Sequence, residues 1–376
     1  MTRVSKKFLA VLLSSAMLAA MTGCASSATA DSNSTSGPAA ESAAPAESAD
    51  TTAETTAAAS GSELSGDLDI WAWGADDEAK AREGAIEIFI SEHPELNITY
   101  TIIPTADSVW DQKAAAALSS GSAGDVMQMS PDYYGMNTEY YIDLNPYVEA
   151  DGVNLDDVLV PGVIDGYYDS DGKLEGFPLL ANCFVMAYNK DMFDAAGLEY
   201  PSADWNKASG FDDYRAMAKA LTGGEGASKT YGFAAGPYMA AVGMFNTSLG
   251  GNNVFDEEGN PTMNDAVSKE VYAWFDEMLR TDYSMPRPTD TKVMGAFDMF
   301  KAGRLGMILD GTWWLGAIKD ITDFRVGIAA IPSGKGEEAF TSQFVDSFVI
   351  FKGSKHEAEA WEAVKAIMTT PALQAL

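Results

Sequence analysis

Two adjacent tryptophans are the residues best suited by type and spacing to contact a ligand. Trp313 and Trp314 lie in the segment "LDGTWWLG" (309–316), directly after an aspartate, a glycine and a threonine. Neighbouring side chains on a strand point to opposite faces, so a given core can bury only one of the two rings. An aromatic plane beside a carboxylate suits a ligand with an apolar face ringed by hydroxyl groups. We therefore expect one ring of the doublet to contact a ligand and the other to pack inward.

Catalytic motifs are absent from the sequence. The chain has no G-x-S-x-G elbow, no H-E-x-x-H helix and no P-loop ending in Lys-Ser or Lys-Thr. The segment "DSDGKLEG" (169–176) places its glycine too early for a calcium loop, and Leu180 stands where the last acid would be, so it is typical of a hairpin. Acidic residues number 55, so no single carboxylate pair is good evidence for a glycosidase. We expect no catalytic residue and no cofactor.

The amino terminus is typical of an exported lipoprotein. Residues 1–23 combine early cations, an apolar run and small residues, which is the pattern of a secretory signal peptide. The letters "MTGC" resemble a bacterial lipobox, although Met21 stands where leucine is preferred. The resemblance implies that Cys24 carries a lipid anchor and is the first mature residue, which would supply membrane affinity. Residues 24–62 are almost all small or polar, which predicts a disordered tether.

Charge and composition exclude several classes of partner. The chain carries a net charge of -31 at pH 7, and a surface this acidic repels nucleic acid and anionic lipid. With Cys24 lipid-modified, only Cys183 remains, so we expect neither a disulfide nor a cysteine metal site. His93 and His356 each lie beside an acid in a polar stretch and are expected at the surface. The sequence therefore predicts no metal centre and no nucleic-acid partner.

Strands and helices alternate after residue 62. Residues 64–74 alternate apolar side chains as a strand does, 77–94 have the pattern of an amphipathic helix ending before proline, and 97–104 form a β-branched strand. This order predicts a parallel α/β sheet, in which ligands bind beyond the carboxyl ends of the strands. The candidates at such ends are Trp71 and Trp73 in the first strand, Asp132 beyond "DVMQMS" and Trp313 beyond "RLGMILDG".

Several segments in order resemble the extracellular solute-binding proteins of ABC importers, in the sugar-binding group related to maltose-binding protein. The most distinctive are "YNKDMFDAAG" (188–197) and "GTW" (311–313), and the similarity covers 64–376. The resemblance implies a two-lobed α/β fold of the periplasmic-binding-protein type, each lobe a mostly parallel sheet flanked by helices, with a ligand cleft between them. Gly124 precedes the aspartate of the "DVMQMS" strand, at a position where members of the group often have a proline. Members continue beyond "TPALQAL", so carboxy-terminal helices are expected to be missing.

The resemblance also implies how the chain divides. The amino-terminal lobe is expected over residues 63–184 and 345–376, and the carboxy-terminal lobe over 185–344. The crossings between them should lie near 182–187 and near 343–348. A hinge of a few backbone torsions can then move the lobes as rigid bodies.

Site residues carry over from the same resemblance. Trp313 and Asp132 match ligand-contacting positions, and Asn182, Tyr238 and Asp346 match cleft positions more loosely. Trp71 and Trp73 share one face of the first strand and should be directed toward the cleft. Asp76 and Asp77 begin the first helix, where one of them is expected to serve as a helix cap and Asp76 is kept as a ligand contact. The expected ligand-binding set is Trp71, Trp73, Asp76, Asp132, Asn182, Tyr238, Trp313 and Asp346.

The implied function is the extracytoplasmic capture of a sugar or oligosaccharide by lobe closure, and its delivery to the transmembrane subunits of an ABC permease. The protein would be a monomer without enzymatic activity, held at the outer face of the bacterial cell membrane by its lipid anchor. Two alternatives stay open: a secreted lipoprotein glycosidase or polysaccharide lyase, and the same fold binding a polyamine. A phosphorylated ligand is less favoured, because no Arg or Lys is adjacent in sequence to the candidate aromatics.

Overall fold

The computed structural model of the protein describes residues 64–74, 76–103, 109–130, 135, 137–155, 159, 162–235, 239–256, 260–335 and 338–369. The predicted signal peptide (1–23), the lipid site at Cys24, the tether (24–62), Asp132, Tyr238 and residues 370–376 lie outside the described residues.

The strands follow the predicted alternation with helices. In chain order they are β1 (Gly66–Trp73), β2 (Leu96–Ile103), β3 (Val126–Met129), β4 (Phe177–Asn189), β5 (Tyr231–Ala235), β6 (Leu305–Gly311), β7 (Val326–Ala329) and β8 (Gln343–Ile350).

The α-helices lie between and after these strands. They are α1 (Asp76–Glu92), α2 (Val109–Ser120), α3 (Asn145–Asp151), α4 (Lys190–Ala196), α5 (Phe211–Leu221), α6 (Met239–Ser248), α7 (Ala266–Asp276), α8 (Pro288–Thr291), α9 (Ala296–Lys301), α10 (Leu315–Ile318) and α11 (Glu357–Thr369). None of the described helices is both long enough and apolar enough to cross a membrane.

The strand order is β2-β1-β3-β8-β4-β6-β5, with β7 paired to β4 off this path. Strands β1, β2 and β3 are parallel, as the strand–helix–strand pattern predicts, and β8 runs antiparallel to both β3 and β4. Strands β5 and β6 are parallel to each other, and β4 runs antiparallel to both β6 and β7. One strand is thus reversed in each half of the path: β8 in the first and β4 in the second.

Strand β4 changes its partners halfway along its length. Its first half pairs with β8 as far as Cys183, which lies opposite Gln343. Its second half pairs with β6 from Phe184, which lies opposite Gly311, and with β7 from Met186. We call the junction between Cys183 and Phe184 the crossing point. A single strand therefore passes from one sheet into the other.

Separate hydrophobic cores lie on the two sides of the crossing point. One is built from residues 64–179 and 345–368, and includes Ile70 and Phe348, both fully buried. The others are built from residues 184–344, in two clusters on the second sheet. Since each core shields its own sheet from water, the two halves have independent sources of hydrophobic stabilisation.

Candidate ligand-binding site

The carboxyl ends of parallel strands from both sheets face the crossing point. In the first sheet, β3 ends at Met129, which pairs with Ser347 of β8. In the second, β6 ends at Gly311, which pairs with Phe184 directly after the crossing point. Strand β5 runs parallel to β6 and ends on the same side. These strand ends therefore lie where β4 and β8 link the two sheets, which is the edge where open α/β sheets bind ligands.

Trp313 lies in a 3-10 turn, Thr312–Trp314, that follows β6 without a break. Its ring is half-buried and packs edge-on against Phe184, with centroids 6.0 Å apart, and against Phe344, with centroids 5.4 Å apart. The ring also lies against Gly311, where a β-carbon would come within 2.1 Å of it. Packing on several sides fixes one orientation of the indole next to the crossing point.

Trp314 is more deeply buried than Trp313. It is 7% exposed and packs against Phe297 and Phe300 of α9, with ring centroids 5.0 and 6.2 Å away. Its indole Nε1 is buried and has no hydrogen-bond partner among the described residues. The two rings of the doublet therefore pack against different neighbours, as the sequence predicted.

Asn182 is joined to the Trp313 turn through Thr312. The Thr312 hydroxyl donates a hydrogen bond to Asn182 Oδ1 over 2.8 Å, and it accepts one from the Cys183 backbone N–H over 3.2 Å. Both bonds connect the loop after β6 to β4 at the crossing point. Sequence reasoning missed Thr312, although its position in the "GTW" segment was the available signal.

The two tryptophans of β1 differ in their surroundings. Trp71 donates from Nε1 to Asp69 Oδ2 over 2.7 Å, and its ring lies against Gly124, where a β-carbon would stand 2.6 Å away. That contact explains the glycine at 124. Trp73 is half-buried at the end of the strand, and its Nε1 is buried without a partner among the described residues. Trp73 is the closer of the two to the carboxyl edge.

Asp346 lies within a buried polar group in the first sheet. Its Oδ2 accepts a hydrogen bond from Gln128 Nε2 over 3.3 Å, and Arg82 Nη2 lies 4.0 Å from the same oxygen. Gln128 Oε1 accepts from the Trp73 backbone N–H over 3.4 Å, which ties Asp346 to the end of β1. The Asp346 side chain is 12% exposed, so a small part of it remains accessible.

Asp125, directly before β3, has a structural role. One carboxylate oxygen accepts from the Asp69 backbone N–H over 2.8 Å, and the other accepts from the Ser354 hydroxyl over 2.6 Å. These bonds bind β1 and the segment after β8 together, away from the carboxyl edge of the sheet.

The predicted site residues fall into linked groups. Trp313 and Asn182 are joined through Thr312, and Trp73 and Asp346 are joined through Gln128. Strands β4 and β8 bring the groups near each other, since Leu180 pairs with Asp346 and Asn182 with Phe344. Trp71 belongs to neither group and is hydrogen-bonded to Asp69. Asp76 is the first residue of α1, and its contacts stay a prediction, as do those of Asp132 and Tyr238.

Asp310 and Arg82 were not anticipated from the sequence. Asp310 precedes Gly311 on β6 and accepts a hydrogen bond from its N–H over 2.7 Å, while burial raises the pKa of the Asp310 carboxyl to about 6. Arg82 is 1% exposed, in the middle of α1. Among the described residues no cluster of His, Cys, Asp and Glu has the geometry of a metal site.

The strand order, the shared strand β4 and the separate cores define a two-lobed binding-protein fold of the α/β class. The chain resembles an ABC substrate-binding protein of Listeria monocytogenes, solved with cycloalternan, at a TM-score of 0.72 and 23% identity, covering 82% of this chain and 76% of that one. It also resembles the GacH receptor of Streptomyces glaucescens, solved with acarbose, at a TM-score of 0.68 and 20% identity, covering 83% and 78%. At these identities the likeness establishes the fold.

The chain belongs to the family of bacterial extracellular solute-binding proteins, whose family model matches residues 43–374. A binding protein of Brucella abortus strain 2308 is 25% identical over 293 residues, which cover 73% of this chain. The chain spans 65% of the length of that curated relative. The predictions of the family and of its two-lobed fold are therefore confirmed.

Proposed function

We propose that the protein captures a neutral sugar or oligosaccharide between its two lobes and delivers it to the transmembrane subunits of an ABC permease. The observation that carries this proposal is the half-buried ring of Trp313, fixed by Phe184, Phe344 and Gly311 beside the crossing point. A fixed aromatic plane buries the apolar face of a sugar ring with little loss of side-chain freedom. Asn182 and Asp346 lie on the neighbouring strands and supply oxygens for the hydroxyl groups.

Lobe closure follows from the path of the chain. The separate cores support lobes over residues 63–184 with 345–376 and over 185–344, linked by β4 and β8. A ligand that contacts both lobes stabilises the closed arrangement, because only that arrangement makes both sets of contacts. The structural relatives solved with cycloalternan and acarbose support a carbohydrate as the cargo.

The proposal includes no chemical step. A glycosidase or lyase needs an acid and a second carboxylate at a fixed separation across the ligand. Asp310, with its raised pKa, is the group that favours this alternative, but it is only half-buried and its carboxylate accepts a hydrogen bond from the adjacent Gly311 backbone N–H. Membership in a family of binding proteins supports capture without turnover.

A polyamine is the second alternative, and the charges around Asp346 oppose it. A polyamine site needs several carboxylates that converge without a counter-charge. The Arg82 guanidinium lies 4.0 Å from the Asp346 carboxylate and offsets part of its charge. A neutral hydroxyl ligand is therefore better matched to this site than a cation.

We further propose that residues 1–23 are removed, that Cys24 is lipid-modified, and that 24–62 tether a monomeric binding domain outside the cell membrane. Membership in an extracellular family supports export. The test is expression of the full chain and of Cys24→Ser in a bacterial host. The wild type should sediment with membranes and carry lipid on its terminal cysteine, and the variant should not. A soluble, unmodified wild type would refute the anchor.

The function itself is tested by thermal unfolding of the domain from residue 63 onward against mono- and oligosaccharides and spermidine, followed by chromatography of each ligand. A sugar present at about a hundred times its Kd should raise stability by about 2.7 kcal/mol and be recovered unaltered. Sugar fragments in the recovered sample would support the enzyme alternative. Stabilisation by spermidine alone would support the polyamine alternative.

A further inference from the structure

A buried cation lies behind the carboxyl edge of the first sheet. The side chain of Arg82 is only 2% exposed, in a chain whose acidic residues outnumber its basic ones by 55 to 24. Its guanidinium Nη1 fits against the backbone of Gly74, where a β-carbon would stand 2.6 Å from that nitrogen. Glycine at the end of β1 therefore leaves the space that the guanidinium fills. Burying an arginine is costly unless nearby groups compensate for its charge.

Carboxylates flank this guanidinium on both sides. Glu78 Oε2 lies 3.5 Å from Nη1, one turn earlier in α1, and Asp346 Oδ2 lies 4.0 Å from Nη2, on β8. The Glu78 side chain is 24% exposed and that of Asp346 is 12% exposed. The Arg82 side chain is thus almost fully shielded from water, while the side chains of Glu78 and Asp346 each keep an exposed fraction.

The same network reaches one of the predicted aromatic contacts. Gln128, fully buried on β3, donates to Asp346 and accepts from the backbone N–H of Trp73. Arg82 therefore acts on Asp346 directly and on the end of β1 through Gly74. Asp346 and Trp73 both belong to the set predicted to contact the ligand.

We propose that Arg82 is a positioning residue of the binding site, which holds the Asp346 carboxylate ionised and oriented for the hydroxyl groups of a neutral sugar and disfavours a cationic ligand. This inference deepens the proposed function and rests on it. The Arg82 side chain is only 2% exposed, so it acts on the ligand through Asp346 and does not contact the ligand itself. Hydrogen bonds from hydroxyls to an ionised carboxylate are stronger than those to a neutral carboxyl, so the charge state of Asp346 matters for affinity.

The groups facing Asp346 make this role specific to Arg82. Helix α1 presents Arg82 and the Glu78 carboxylate, β3 presents the uncharged Gln128, and the segment before β4 presents Tyr167, whose hydroxyl donates to the Val345 carbonyl. Of these groups only Arg82 is a cation. Without it, a largely buried Asp346 beside a second carboxylate would take up a proton more readily.

The test compares Arg82→Met and Arg82→Lys with the wild type, using the sugar that stabilises the wild type most. The Met variant should lose about tenfold or more in sugar affinity near neutral pH, the effect of one hydrogen bond to a charged group. Its affinity should fall further as the pH is lowered, because Asp346 takes up a proton more readily without the cation beside it, whereas the affinity of the wild type should change less. Its affinity for spermidine should rise, and Lys should restore most of the sugar binding. Arg280→Met, at an arginine 75% exposed, serves as the control.

Wild-type affinity with a flat pH profile in Arg82→Met would overturn the inference. If that variant fails to fold, Arg82→Gln, which removes the charge but keeps a polar side chain, is used in a second, ligand-free measurement. The carboxyl carbon of Asp346 is titrated by NMR and assigned with Asp346→Asn. A midpoint higher than in the wild type supports the role of Arg82, and an unchanged midpoint refutes it. This measurement separates the two proposals, because a wild type that binds no sugar would refute only the function.

Discussion

The indole of Trp313 lies against the backbone of Gly311, so close that a β-carbon on residue 311 would stand 2.1 Å from the ring carbons Cη2 and Cζ3. Phe184 and Phe344 contact the same ring edge-on. The glycine that ends β6 therefore determines where the aromatic plane lies. A plane that is fixed before the ligand arrives binds it with a smaller loss of side-chain freedom.

Gly311→Ala should displace this ring. Overpacking at a filled position costs about 1–3 kcal/mol, so the free energy of unfolding should fall by that amount and sugar affinity should fall with it. Urea unfolding and calorimetric titration measure the two effects. Gly166→Ala is the matched control, because nothing lies within 4 Å of a β-carbon at that position. An alanine at 311 with unchanged stability and affinity would contradict the role given to Trp313.

Much of the fold could be predicted from the sequence, because the periodicity of apolar residues is a local pattern. The apolar alternation of β1, the helical pattern of α1 and the β-branched β2 each predict their element, and their order predicts parallel pairing. The partner exchange of β4 at Cys183 and Phe184 has no such local signal. It is decided by which strands pack beside each half of β4, and here only the family resemblance predicted it.

The binding site could be predicted from the sequence only in part, because only some of its contacts have a local sequence pattern. Adjacent side chains diverge, so the sequence predicted that one ring of the Trp313–Trp314 doublet is buried, and the structure buries Trp314. The family resemblance assigned Trp313 to the ligand, and that contact stays a prediction. Arg82 could not be recognised, since an arginine amid the acids of α1 has the pattern of an exposed helix face. Its burial depends on Gly74 and Asp346, which are distant in the chain and meet it only in the folded protein.

Asp310 should make stability depend on pH. Burial raises the pKa of its carboxyl from 3.8 to about 6, because the charged form is disfavoured there. The folded state therefore binds this proton more tightly than the unfolded state does. The contribution of the Asp310 proton to the free energy of unfolding is complete below pH 3.8 and is lost as the pH rises toward 6. The total loss is about 3 kcal/mol.

Asp310→Asn should remove this dependence. The free energy of unfolding of the variant relative to the wild type should increase by about 2–3 kcal/mol between pH 4 and pH 7.5. Urea unfolding at both pH values measures it, with Asp320→Asn, at an exposed carboxylate, as the control. An equal difference at the two pH values would show that Asp310 is not the responsible group. Binding without turnover in both proteins would also disfavour Asp310 as a catalytic acid.

Asp151 should stabilise the first lobe without affecting binding. Its Oδ2, at the end of α3, accepts from the buried Trp361 Nε1 over 2.7 Å and from Lys365 Nζ, both on α11. Asp151→Ala leaves that indole N–H unpaired and should cost about 1–3 kcal/mol in urea unfolding. Glu362→Ala also removes a partner of Lys365, but at a more exposed position, and should cost less. Weakened sugar affinity in folded Asp151→Ala would contradict its purely structural role.

The contact between Trp313 and the ligand is measured by calorimetric titration of the stabilising sugar into the wild type, Trp313→Ala and Trp314→Phe. Trp313→Ala should weaken binding by about 1.4 kcal/mol or more, a tenfold rise in Kd, because it removes the ring proposed to bury the sugar face. Trp314→Phe should lower stability and leave the Kd unchanged, because that ring packs against Phe297 and Phe300. Equal affinity in the wild type and a folded Trp313→Ala would contradict the account.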